Sequence, residues 1–181
     1  MKIMESIENT LAENNNLTSE VKQNLLELTA IFHERYPKIS LENLNERLKT
    51  LKIKRISKFL NRDISMYDFR TNTLYFNESE MEKPYDMKHV LMFELLNIIT
   101  STNYHTGFNQ DNKFEALNVG YTEMIANLLV GNHSDIWIYA DEAIEANLIS
   151  IIVCVENLEK AYFNNDAKLL VKSFMEIGVQ V

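Results

Sequence analysis

The residues with the most chemical promise lie in two short segments. The first reads Met92-Phe93-Glu94-Leu95-Leu96-Asn97-Ile98-Ile99-Thr100-Ser101. The second reads Ala116-Leu117-Asn118-Val119-Gly120-Tyr121-Thr122-Glu123. Each holds one carboxylate, Glu94 and Glu123. A helix carboxylate acts as a general base only when a water or substrate proton is within its reach. Phe93 and Val119 have no lone pairs. Asn97 and Asn118 offer neutral amide oxygens, which suit calcium, magnesium or manganese better than zinc. One reading is therefore a hydrolase with an unusual divalent site built from Glu94, Asn97, Glu123 and the loop residue His105. A shifted site from His89, Glu94 and Asn97 has irregular spacing. His33 and His133 read as surface or loop residues.

A plainer reading stands beside it. Phe93, Leu96 and Val119 serve as core. Glu94 is a helix carboxylate, exposed or hydrogen-bonded to Tyr121 or Asn97. Buried without a cation, its carboxyl is expected to be less acidic than usual. Tyr121 packs with its hydroxyl bonded. Glu115, Glu123, Glu142 and Glu145 read as solvated helix faces or salt-bridge partners. Other chemistries find little footing. The single cysteine, Cys154, lies in an apolar run and reads as buried and inert, and it excludes an internal disulfide or a cysteine-based zinc cluster. Four scattered glycines supply no phosphate-binding loop.

The elements that must position these residues follow from periodicity. Residues 1–16 are polar and read as a weak helix or a frayed tail. Thr18 caps a helix carrying Val21, Leu25, Leu28, Ile31 and Phe32, and Tyr36-Pro37 stops it. Ser40 caps a second helix with Leu41, Leu44, Leu48 and Leu51. Ile56–Leu60, Ile64–Phe69 and Thr73–Phe76 alternate like strands, with Asn61-Arg62-Asp63 and Arg70-Thr71-Asn72 as turns, which predicts a small antiparallel sheet of about three strands. Helices are expected over Asp86–Thr102, Phe114–Val130, Asp141–Phe163 and Asp166–Ile177, with Gly131 and Gly178 near their ends. The fold class is α+β and mostly helical. N-terminal helices, the small sheet and a C-terminal helical bundle form one domain over residues 1–181.

Taken together, the two segments resemble the HExxH zinc metallopeptidases of the gluzincin kind. The likeness is to small bacterial members with HELLHxxS, then a GFxQ-like loop, then LNEGYTE. Gly107-Phe108-Asn109-Gln110 occupies the loop. The resemblance runs from about Leu74 to Phe163, with a Tyr162-Phe163-Asn164-Asn165-Asp166 segment near its end. In that family two histidines at i and i+4 grip zinc, the intervening glutamate activates the bound water, and a later glutamate completes the site. The resemblance places Phe93 and Asn97 at the histidine positions and Val119 at the third ligand. Glu94 alone keeps its type. The resemblance thus implies a zincin-like pseudopeptidase with no metal and no cofactor. Its vestigial pocket would hold Phe93, Glu94, Asn97, His105, Asn118, Val119, Tyr121 and Glu123. It also implies that Thr73, Leu74, Tyr75, Phe76 and Asn77 form an edge strand able to take a peptide by strand addition.

Composition bounds the partners. The chain has 181 residues and a formal net charge of -8, which repels phosphate backbones and makes nucleic acid an unexpected partner. The N-terminal segment has no apolar run, so a cytoplasmic protein without a membrane partner is expected. The functional expectation is an inactive, metallopeptidase-like protein that binds a peptide or protein. The alternatives are the divalent-metal hydrolase and a helical interaction module, a homodimer through an apolar stretch such as Leu148–Leu158.

Overall fold

The computed structural model describes residues 2–57, 64–110 and 113–178. Three helices come first: α1 (Lys2–Glu13), α2 (Ser19–Arg35) and α3 (Glu42–Leu48). A sheet of β1 (Lys52–Ile56), β2 (Ser65–Asp68) and β3 (Thr73–Asn77) follows. The rest is helical: α4 (Met87–Ile99), α5 (Glu115–Val130), α6 (Ala140–Val153), α7 (Val155–Phe163) and α8 (Ala167–Gly178). The protein is α+β and mostly helical, as its periodicity predicts.

The helix starts obey local chemistry. Thr18 Oγ1 accepts from Val21 N at 3.3 Å, the cap expected for α2. Asp86 Oδ1 accepts from Lys88 N and His89 N at 3.0 and 3.2 Å, so it caps α4 and satisfies two of the free N–H groups there. Ser40 stands one residue before the N-cap Leu41, yet its hydroxyl still accepts from Glu42 N. Gly131 closes α5 at a φ of +72°, a conformation that costs glycine little.

The N-terminal segment is not a frayed tail. It is α1, and its Ile7 and Leu11 are buried against the rest of the core. Asn14 ties the turn after it to the carbonyls of Leu48 and Leu51. The stretch expected as one helix over Asp141–Phe163 is two. The chain breaks at Cys154, where φ is +69°, and α7 restarts at Val155. Cys154 is exposed at that corner rather than buried, because a break lifts it off both helix faces.

The sheet is mixed, not antiparallel throughout. Its order is β1-β3-β2, with β1 parallel to β3 and β2 antiparallel to it. Thr73–Asn77 is therefore the central strand and not an edge. Its burial agrees: Thr73, Leu74, Phe76 and Asn77 are all buried. The chain pairs β3 back onto both earlier strands, and a pattern of alternation carries no information about which neighbour comes between. The first strand begins at Lys52, earlier than the expected Ile56. Ser57 already bends away from the strand, and residues 58–60 of the expected strand, with the turn Asn61-Arg62-Asp63, lie outside the described residues.

The core centres on α4. Val90, Met92, Phe93, Leu95, Leu96, Ile98 and Ile99 are buried, so apolar residues occupy every side of the helix. A helix apolar all round belongs inside. It packs against α2, α3, α5 and β2. Each such side chain contributes about 1.5–3 kcal/mol of burial before conformational entropy is set against it.

Candidate functional site

Glu94 points from α4 toward the sheet and is 1% exposed. Its Oε1 accepts from Ser65 Oγ on β2 at 2.6 Å, and its Oε2 accepts from Asn97 Nδ2 at 3.2 Å. The bond to Asn97 is the one the plainer reading expects. The bond to Ser65 was not legible, because it joins residues 29 positions apart. A buried carboxylate held this way stitches α4 to the sheet.

One turn earlier on α4, His89 faces α5. Its Nδ1 lies 2.7 Å from the Gly131 carbonyl, which can only accept, so this nitrogen carries a proton. Its Nε2 lies 2.8 Å from Glu123 Oε1, and both side chains are about 5% exposed or less. Burial alone lowers the basicity of the ring. The Glu123 carboxylate, through its hydrogen bond and its charge, outweighs this, and the His89 pKa stands above its ordinary 6.5. Of the two expectations for Glu123, a solvated helix face or a salt-bridge partner, the structure bears out the second, and the pair is buried. The sequence gives a hint of this pair only in retrospect: a histidine and a glutamate sit in two neighbouring apolar helices.

The same end of α4 holds the connection between α5 and α6. Asp86 Oδ2 accepts from His133 N at 2.9 Å. Together with the His89 bond to Gly131, this draws the connection across the helix. Tyr139 then stacks on Phe93, with ring centroids 5.2 Å apart and planes at 22°. Ile64, Ser65, His89, Phe93, Glu123 and Tyr139 are among the residues that enclose a space here. The cavity is about 10 Å³, room for a single water at most.

The remaining predicted residues belong elsewhere. Asn118 Oδ1 accepts from Phe108 N at 3.1 Å and so anchors the Gly107-Phe108 loop. Gly107 has a φ of +51°, and a Cβ there would overlap the Asn118 oxygen and the Tyr162 ring. His105 closes on the same loop, its Nδ1 3.1 Å from the Gly107 carbonyl. Tyr121 packs edge-on to Tyr162, and both rings meet Phe108. Burial pushes the Tyr121 and Tyr162 hydroxyls well above the usual phenol range. Val119 is half-buried against the core. The eight residues expected as one pocket therefore divide. Phe93 and Glu123 line the small cavity, Glu94 and Asn97 bond to each other, and His105, Asn118 and Tyr121 build the loop anchor.

The donors do not fit a zinc ion. Phe93 fills its position with a stacked ring, Asn97 is engaged with Glu94, and the Nε2 of His89 is closed off by Glu123. A metal would need that nitrogen free and neutral. Among the described residues, no three His, Cys, Asp or Glu side chains come together to hold a metal ion. The divalent set of Glu94, Asn97, Glu123 and His105 is split accordingly.

A second, open space lies on the same face of the sheet, toward β1: Ser65, Phe76 and Arg55 stand in register across the three strands. It is a groove of about 570 Å³ lined by Val21 of α2, Ile53 and Arg55 of β1, Phe76 of β3, and Met87 and Leu91 of α4. The strand beside it has a free edge. In β1, Lys52 N donates to Asn72 O and Ile56 O accepts from Glu78 N, so even-numbered residues bond inward to β3. In a parallel ladder the alternate residues, Ile53 and Arg55, turn their N–H and C=O outward. Among the described residues nothing bonds to those groups. Lys52, Lys54 and Arg55 are exposed, and none of them forms an ion pair among the described residues.

Among the described residues, no helix is long and apolar enough to cross a membrane. Comparison of the chain with protein-family models, with curated proteins and with solved structures finds no match.

Proposed function

We propose that this protein is a non-catalytic, metallopeptidase-like protein that binds an extended peptide or protein segment. One contrast carries the reading. The space lined by His89, Phe93 and Glu123 is closed to about 10 Å³ and Glu94 does not reach it, while the edge of β1 borders a groove of about 570 Å³. A general base needs a proton within reach, and a cavity of one water leaves no room for a substrate. The β1 edge offers outward backbone groups at Ile53 and Arg55. A segment laid there as a fourth strand would turn alternate side chains into the groove.

The ligand class follows from charge. Lys52, Lys54 and Arg55 make this edge basic on a chain whose net charge is -8. An acidic segment with alternating apolar residues meets both the cations and the groove. Peptide binding falls to β1 rather than to β3, which is central. It keeps the metallopeptidase likeness as the origin of the frame, on the strength of the two segments around Glu94 and Asn118.

The test uses a fluorescein-labelled peptide of alternating glutamate and valine, followed by anisotropy. Saturable binding is expected, weaker at high salt. Arg55→Glu should weaken it by removing charge. Ile53→Pro should weaken it by removing one outward N–H, a change an edge strand tolerates. Binding that ignores Ile53→Pro overturns strand addition. One zinc per chain after dialysis, or peptide cleavage that disappears in Glu94→Ala, overturns the non-catalytic reading.

A further inference from the structure

The large apolar side chains of α6 point away from the protein. Its buried face is made of small residues and one valine: Ala146, Ser150 and Val153. Gly120 of α5 lies so close that a Cβ there would overlap the Glu142 carbonyl. The opposite face carries Ile144, Leu148, Ile151 and Ile152, exposed by 62, 56, 69 and 53%. Spacings of four, seven and eight put these four on one stripe. Helix α8 packs on α6 and α7 and repeats the pattern. Its Val171, Phe174 and Met175 are exposed by 49, 39 and 69%.

A monomer's surface helix turns its large apolar side chains inward. α6 does the reverse. Seven large apolar side chains exposed on two packed helices are more than an ordinary monomer's surface helices leave to water. The exposed charges beside the two stripes differ in sign, acidic on α6 and mainly basic on α8, where Lys172 also reaches Glu176 at 3.6 Å. Asp141 and Glu145 continue the α6 stripe toward its N-terminus, and both are exposed. Lys168 and Lys172 stand among the apolar residues of the α8 stripe, also exposed.

We propose that this surface is a homodimer interface in which α6 of one protomer lies on α8 of its partner. A two-fold axis makes that contact twice, and each places Asp141 and Glu145 against Lys168 and Lys172. Two copies of an acidic chain repel unless acid meets base locally, and this pairing does that. A membrane surface suits the stripe less well, since the acidic turn of α6 would face anionic headgroups. The inference stands apart from peptide binding at β1.

The test is sedimentation equilibrium of the full chain across roughly 1–200 μM. A species of twice 21.2 kDa is expected. Ile151→Glu and Met175→Glu should each raise the dimer dissociation constant at least about tenfold. Glu145→Lys and Lys172→Glu should each weaken the dimer, and the double exchange should restore it. That restoration keeps the test sharp even if Ile151→Glu fails to fold. A monomer at every concentration overturns the proposal. So does a dimer indifferent to both glutamate substitutions, or a monomer that binds phosphatidylserine vesicles.

Discussion

At the scale of single residues, the protein spends its polar chemistry on holding helices together. His89 and Glu123 show the sign most clearly. The folded-state pKa of His89 lies above its ordinary 6.5. Below 6.5 the ring is charged in both states and the pair contributes in full. As pH rises, the unfolded chain loses its proton first, and the contribution fades through the folded-state pKa. Urea midpoints should therefore fall as pH rises above about 6.5 in the native protein. His89→Gln should flatten that part of the profile; a profile unchanged by the substitution would remove the charged pair from the account. Tyr162 makes a second case. Thr122 Oγ1 donates to Asn118 O at 2.7 Å, so with one proton it must accept from the Tyr162 hydroxyl, also 2.7 Å away. Tyr162→Phe should cost about 0.5–1.5 kcal/mol in chemical denaturation. Neither partnership was visible in the sequence, where the residues of each pair stand 34 and 40 positions apart.

At the scale of elements, one helix terminus organises the closed site. Asp86 caps α4 and also takes the His133 N–H from the connection after α5. Asp86→Ala should cost about 1 kcal/mol as a lost cap, and more because His133 loses its acceptor. It should also raise hydrogen exchange at His133, which a simple cap loss would leave alone. Phe93→Ala, which empties the stack on Tyr139, should cost about 3–5 kcal/mol by thermal or urea unfolding. Helices were the legible part of this protein. Thr18, Asp86 and Gly131 act where their side chains, or lack of one, say they should, because capping is local chemistry. The sheet was less legible. Alternation marks strands, but it does not tell that β3 returns parallel onto β1, a pairing that joins Lys52 to Thr73. Cys154 misled for the same reason: an apolar neighbourhood in sequence says nothing of a backbone break.

At the scale of the whole molecule, the remaining question is whether α4 and α5 form the frame of a zinc peptidase with its site filled in. The sequence likeness assigns the ligand positions to residues 93, 97 and 119, and the fold brings α4 and α5 into contact. The frame can be tested by restoring the missing donors. Phe93→His, Asn97→His and Val119→Glu together supply the three ligands of such a site. Three polar side chains replace an aromatic ring, an amide and a valine, so the apo variant should be destabilised by several kcal/mol. Zinc should return much of that loss, because a metal that binds only the folded state stabilises it by mass action. Tyr139 now covers residue 93, and Tyr139→Ala in the same background should open the cavity and strengthen zinc uptake. The expected result is one zinc per chain after dialysis, with a melting temperature that rises with zinc concentration in the variant and not in the parent. A folded triple variant that takes no zinc, with or without Tyr139→Ala, would mean that the two helices do not bring those positions together. The peptidase likeness would then reduce to a coincidence of motifs. The β1 edge and the α6–α8 face would keep their own tests, since neither depends on where the frame came from.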